Sequence, residues 1–167
     1  FLQMEGFQVT IASNKSNKLL RFLDMAKTVI LSRKKVDYVL IDTYSTFGFY
    51  FACGISQLCR IFKLKYIPIL HGGNLPKRIE RHPILSKAIF DNAYMNVAPS
   101  LYTKINIEKL GIPDTICIPN SLELNHYPFK RRTFKRIKLL WVRSFSEIYN
   151  PCLAIDVLTG FLDDGFE

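Results

Sequence analysis

The chain has 167 residues, 49% hydrophobic and 22% charged, a globular balance that excludes a disordered chain and sets an expectation of about one domain. Lys and Arg number 23 against 14 Asp and Glu, a formal charge of +9, so the expected partners are anionic: nucleotide phosphate, nucleic acid or a phospholipid surface. The four cysteines, Cys53, Cys59, Cys117 and Cys152, form no C-x-x-C pair and no cluster with His71, His82 or His126. That pattern argues against a metal site and reads as buried thiols of a reducing, cytoplasmic compartment.

The opening run from Phe1 to Gly6 lacks the basic start and apolar stretch of a signal peptide, and reads as beginning mid-element. Phe7 to Ala12 has strand length and apolar alternation, and behind the polar stretch Ser13 to Ser16 the residues Leu19, Leu23, Ala26 and Ile30 recur at helical spacing. Asn14-Lys15-Ser16 matches a glycosylation acceptor by chance in a chain read as non-secreted. Tyr38 to Asp42 is a β-branched and aromatic run that predicts a buried parallel strand, leading into Thr43-Tyr44-Ser45-Thr46. Gly48 to Phe62 predicts a helix; Gln57 and Arg60 interrupt it, and it falls short of the roughly 20 residues a bilayer requires.

Tyr66 to Leu70 predicts a short strand, Ile84 to Asn92 a helix opened by Pro83, and Tyr94 to Ala98 another strand. Pro99-Ser100 starts a helix through Leu110, with Gly111 as terminator before Pro113, and Thr115 to Ile118 supplies one more strand. Strands alternating with helices through short connections predict an α/β fold: a doubly wound, Rossmann-like parallel sheet covered on both faces. The expected domain is 1–124, followed by a basic linker over 125–136 that contains Lys130, Arg131, Arg132, Lys135 and Arg136. Ile137 to Val142 then reads as a new strand and Pro151 to Leu162 as an amphipathic helix with Leu153, Val157, Leu158 and Phe161 on one face. One βα unit cannot bury its own faces, so 137–167 is expected to open a second α/β domain.

Ligands of open α/β sheets bind beyond the carboxyl ends of the strands. His71-Gly72-Gly73-Asn74-Leu75-Pro76 follows such an end, where two glycines permit close backbone approach to a ligand and the amides can face an anion. The alternative is a tight turn whose histidine caps the strand. Arg143 follows the strand ending at Val142, and Asn150 with Pro151 suits a helix start whose amides form an anion site. Its alternative is a surface arginine beside an ordinary capped helix. Asp42, with Ser45 nearby, suits a hydroxylated ligand but is the more common helix cap or loop anchor, and Ile118-Pro119-Asn120-Ser121 reads as structural.

Lys77, Arg78 and Arg81, and the run from Lys130 to Lys138, have solvation as their plain explanation. Sharing a face, they would attract an anionic membrane at about 1 kcal/mol per residue, which sets the expectation of a peripheral contact with the inner face of the cell membrane. No base-stacking motif or zinc spacing accompanies them, so nucleic acid is disfavoured as a partner.

The aspartate-ended strand Val39 to Asp42, the loop His71-Gly72-Gly73-Asn74-Leu75-Pro76, the Ala98-Pro99-Ser100 helix start, Ile118-Pro119-Asn120, and Leu140-Trp141-Val142-Arg143 leading into Tyr149-Asn150-Pro151 form a series across nearly the whole chain. In order and spacing this series resembles the GT-B glycosyltransferases of the "glycosyl transferases group 1" family. The resemblance implies two Rossmann-like domains across a cleft, the first for acceptor and the second for a nucleotide-sugar donor, with no metal or other cofactor. It would make His71 the catalytic cleft residue beside the transferred sugar and Arg143, with Asn150, the neutraliser of the donor diphosphate. Gly72, Gly73, Asn74, Arg78 and Ser45 would belong to the acceptor side or the cleft loop. The family normally adds a lysine at the helix start where Tyr149-Asn150 stand here. A complete member also carries a strand with a Gly-rich loop before the segment that begins at Phe1, and paired glutamates in a donor half beyond Glu167. The expectation is therefore a partial GT-B whose parent transfers sugar, with retention, to a glycan or lipid-linked acceptor, and little catalysis by these 167 residues alone. The rival expectations are a non-catalytic module holding an anionic partner or membrane, and a nucleotide-sugar epimerase of the same fold.

Overall fold

The structure, a computed structural model, describes residues 2–112, 114–122, 124–131 and 138–165. The expected stop at Pro113, the basic residues Arg132, Lys135 and Arg136, and the expected domain start at Ile137 lie outside the described residues. The chain divides into two compact units, Phe1–Ser121 and Leu122–Glu167, each described by itself.

Unit 1 is an α/β layer of Rossmann-like type, built on a parallel sheet of four strands. Its elements are α1 (Lys18–Ser32), β1 (Tyr38–Tyr44), α2 (Gly48–Ile61), β2 (Lys65–His71), α3 (Leu75–Arg81), α4 (Pro83–Phe90), β3 (Asn96–Ala98), α5 (Leu101–Glu108) and β4 (Thr115–Cys117). Asn17 caps α1 through Oδ1, which accepts from the Leu19 and Leu20 amides, and Ser100 Oγ accepts from the Thr103 amide at the start of α5. These bonds satisfy donors that a helix start otherwise leaves orphaned. α5 ends sooner than expected, and Gly111 at φ +76° closes the turn behind it.

The core lies between the sheet and one layer of helices. Ile41, Tyr66, Leu70 and Ala98 point inward from the strands and meet Phe49, Ala52, Ile55 and Cys59 of α2, Leu75 and Ile79 of α3, Ile89 and Phe90 of α4 and Ile107 of α5. Tyr66 ties the layers together, its hydroxyl donating to the Ile89 carbonyl at 2.7 Å. Pro68 lies within β2 and has no N–H. Tyr66, two residues earlier and so facing the same neighbour, accepts from the Tyr94 amide on the β3 side. The missing donor therefore falls on that side, where the ladder consists of a single pair, Ile69 with Val97.

Three expectations about the sheet and its strands need correction. The second face of the sheet is open: Tyr38, Leu40 and Tyr44 alternate with buried Ile41 and Thr43, and Leu40 is 50% exposed. The order β1-β2-β3-β4 explains this, because right-handed crossovers between consecutive parallel strands put every connecting helix on one face. No reversal of winding occurs among the described strands, and α1 packs on α2, where Phe22 stacks on Phe51, rather than beneath the sheet. Second, Phe7 to Ala12 joins no ladder, and Ile11 is 85% exposed. Third, residues 138–142 join no ladder either. Both segments carry the alternation of a strand without a neighbouring edge to supply hydrogen bonds.

Among its described residues unit 2 has a 3-10 turn at Leu124–His126, another at Glu147–Tyr149, and α6 (Pro151–Asp163). No residue of α6 is buried; Leu153, Val157 and Phe161 are exposed, and Leu158 is half-buried. Of the cysteines only Cys59 is buried, Cys53 and Cys117 being half-buried and Cys152 exposed, which corrects the expectation of four buried thiols. Among the described residues no helix is long and apolar enough to cross a membrane.

Candidate functional site

The ends of β1 and β2 are brought together by their register, which sets Tyr44 opposite His71. The period of two puts Asp42 on the same face of β1 as Tyr44, and His71 Nε2 lies 3.1 Å from Asp42 Oδ1. The Tyr44 ring stacks on the imidazole with centroids 4.8 Å apart and planes 15° from parallel. His71 is 25% and Asp42 64% exposed, so the pair is wet and its Coulomb attraction is screened. Its value is orientation: in the tautomer that donates Nε2–H to the carboxylate, Nδ1 is left as the ring's acceptor.

Beyond the same strand end, Ser45, Asn74, Lys77, Arg78 and Arg81 line an open hollow of about 320 Å³. Asn74 occupies the residue before α3, makes no side-chain capping bond and lines the hollow. The Arg78 guanidinium sits 4.8 Å from the Tyr50 ring centroid and 5.3 Å from that of Phe49, and its Nε is buried with no hydrogen-bond partner. Gly72 has φ +88°, a conformation that glycine adopts without strain, and a side chain at either Gly72 or Gly73 would meet nothing within 4 Å.

The structure thus brings Ser45, Asn74 and Arg78 into one hollow and puts His71 in a pair at the neighbouring strand tip. Asp42 and the basic group Lys77, Arg78 and Arg81 are sequence candidates too; what the structure adds is the pairing of Asp42 with His71 and the placement of Lys77 and Arg81 on the same hollow as Arg78. The expected strand stopped at Asp42, whereas β1 runs on to Tyr44; the longer ladder is what lines Asp42 up with His71. Read from the sequence, Lys77 and Arg81 have solvation or a shared anionic-surface face as their explanation, whereas α3, with Pro76 in the first turn where no N–H is needed, brings both to the hollow.

In unit 2 the Arg143 guanidinium lies 5.3 Å from the Tyr149 ring centroid. Pro151 opens α6 as expected, but Asn150 does not cap it with its side chain. Its backbone is left-handed at φ +47°, a geometry asparagine tolerates, and its carbonyl accepts from the Leu153 amide instead. Among the described residues no three His, Cys, Asp or Glu side chains group as metal ligands. Burial pushes the Cys59 thiol up to about 11, which keeps it protonated and unreactive at neutral pH.

No family model matches the chain, and no match was found for it among curated proteins or among solved structures.

Proposed function

We propose that this chain is the acceptor-side domain and the opening of the donor-side domain of a GT-B glycosyltransferase. In this reading the sheet continues into a doubly wound one, and the enzyme works in the cytoplasm, in peripheral contact with the inner face of the membrane. It transfers a sugar from a nucleotide-diphosphate donor to a hydroxyl of a glycan or lipid-linked acceptor, with retention. The bond from the anomeric carbon to the diphosphate oxygen breaks and a bond to the acceptor oxygen forms. The nucleoside diphosphate leaves as an anion, and the acceptor proton passes to a leaving phosphate oxygen or to solvent.

The observation that carries this reading is the Asp42–His71 pair at adjacent parallel strand ends, beside a hollow rich in cations. Strand ends are where open α/β sheets hold ligands, and an imidazole with one nitrogen fixed by a carboxylate offers the other to a sugar hydroxyl in a set direction. Arg143 and the amides opening α6 meet the charge that grows on the departing diphosphate, and the gain comes from meeting it better in the transition state than in the bound donor. The nucleotide sugar serves as co-substrate, and no metal or other cofactor is assigned.

A panel of nucleotide sugars tests the proposal, with product analysis by mass on the protein carrying its whole donor half. The expected result is transfer from one donor that falls about a hundredfold or more in His71→Ala and Arg143→Ala. Full activity in both variants would overturn the assigned roles, and a stereoisomerised donor without acceptor would indicate an epimerase. The cationic hollow favours a second reading, a module that holds an anionic surface without turnover; salt-sensitive sedimentation with anionic vesicles and no turnover of any donor would establish it.

A further inference from the structure

We infer that the hollow lined by Ser45, Asn74, Lys77, Arg78 and Arg81 is a phosphate-binding subsite, and that the acceptor reaches it carrying a phosphate or diphosphate group. The assignment of the occupant to the acceptor rests on the reading above, which gives unit 1 to the acceptor; the phosphate subsite stands on the hollow itself.

Lys77, Arg78 and Arg81, all on α3, line the hollow together with Ser45 and Asn74, and no carboxylate is among its lining residues. Among the described residues the ion pairs are His71 with Asp42 and Lys104 with Glu108, and none of the three cations pairs with a described carboxylate. Like charges around one hollow repel, and an anion between them relieves that repulsion. Arg78 adds a second, independent observation: its Nε is buried and donates to nothing, although buried donors in folded proteins nearly always find an acceptor. Phe49 and Tyr50 hold the guanidinium by cation–π contact, so its planar fork is set in place before a ligand arrives.

A phosphoryl group matches this set. It accepts paired hydrogen bonds from an arginine fork and takes further donors from Ser45 and Asn74, and its charge suits the flanking Lys77 and Arg81. At about 320 Å³ the hollow sits at the low end of small-molecule sites, about 300–1,000 Å³, and every residue that lines it is polar or charged. It accommodates a head group, and no apolar residue is among those that line it for a lipid tail.

Calorimetric titration of the full chain with inorganic pyrophosphate at constant ionic strength tests the subsite. The expected result is saturable binding that weakens at least about tenfold in Arg78→Ala and in the double variant Lys77→Ala/Arg81→Ala, and is unchanged in Lys87→Ala, which loses an exposed charge on α4. Should Arg78→Ala fail to fold, the double variant of two exposed residues carries the test. A second arm, sedimentation with vesicles of phosphatidylcholine with and without phosphatidic acid, separates the sources of the group: retention that needs Arg78 and phosphatidic acid, with weak pyrophosphate binding, assigns a lipid-borne phosphate. No binding in either arm, or equal losses in Lys87→Ala and the double variant, overturns the subsite. Sugar transfer without pyrophosphate binding would remove the subsite alone, whereas Arg78-dependent binding without transfer from any donor would remove the transferase reading alone.

Discussion

His71 and Asp42 sit on adjacent parallel strands with Nε2 and Oδ1 3.1 Å apart, and the stacked Tyr44 ring fixes the plane of the imidazole between them. The two residues therefore act as one unit, which sets the pattern of a mutant cycle. On the proposed transfer, Asp42→Ala is expected to lower kcat/KM about tenfold, and Asp42→Asn, whose amide oxygen still accepts from Nε2–H, to retain most of the rate. His71→Ala costs more, and adding Asp42→Ala to it costs almost nothing further. Additive losses would mean that Asp42 does not work through His71. Melting temperatures should stay near wild type throughout, since Asp42 is largely exposed.

Gly54 leaves no room between α1 and α2. A methyl group there would stand 2.6 Å from Phe22 Cε2 and 2.7 Å from Cζ, so Gly54→Ala forces the ring off Phe51 or the helices apart. Overpacking costs about 1–3 kcal/mol, against a helix-propensity gain of up to about 1 kcal/mol for alanine over glycine. Net destabilisation is expected in urea unfolding, with recovery when Phe22→Leu is added. A more stable Gly54→Ala variant would contradict the tight contact.

The buried pair of Cys59 and Tyr66 makes the fold sensitive to alkali. Burial pushes the Cys59 thiol from an ordinary 9.0 to about 11 and the Tyr66 phenol from 10.0 to about 12. Both folded values are raised, so their contribution is intact below pH 9. As pH rises from about 9 to 12 the unfolded chain loses these protons before the native one, and stability falls by about 1.4 kcal/mol per pH unit for each group inside its window. Tyr66→Phe should cost about 1–2 kcal/mol at neutral pH, because the Ile89 carbonyl loses its donor, and should flatten the fall between pH 10 and 12. A fall as steep as wild type would contradict the assignment.

Helix capping predicts losses of about 1 kcal/mol for Asn17→Ala and Ser100→Ala, read from thermal unfolding. Each side chain satisfies amides at a helix start, Leu19 and Leu20 for Asn17 and Thr103 for Ser100. Neutral substitutions would show that those amides are equally well served by water.

Much of unit 1 is legible in its residues because periodicity and punctuation agree. Pro83 opens α4, the spaced apolar residues from Leu19 to Ile30 form α1, and the β-branched run at Val39 to Ile41 forms β1. The failures have a common physical source. Phe7 to Ala12 and residues 138–142 carry strand alternation, yet a strand exists only where a partner edge supplies its hydrogen bonds, and periodicity does not record that. The order of the sheet is likewise a tertiary choice: the short αβ connections are compatible with winding in either direction, and the observed order leaves Leu40 uncovered. In the site, His71, Ser45, Asn74 and Arg78 were visible as residues that follow strands. In the sequence Asp42 reads as a hydroxyl ligand or loop anchor and Arg81 as solvated or membrane-facing charge, because the pairing with His71 and the placement on the hollow depend on two extra residues of ladder and on α3.

The most direct measurement is nucleotide release by the protein carrying its whole donor half, followed with and without acceptor at saturating nucleotide sugar. The account predicts release that depends on acceptor and drops steeply in both His71→Ala and Arg143→Ala. Release that is indifferent to acceptor, or that persists unchanged in both variants, would contradict it.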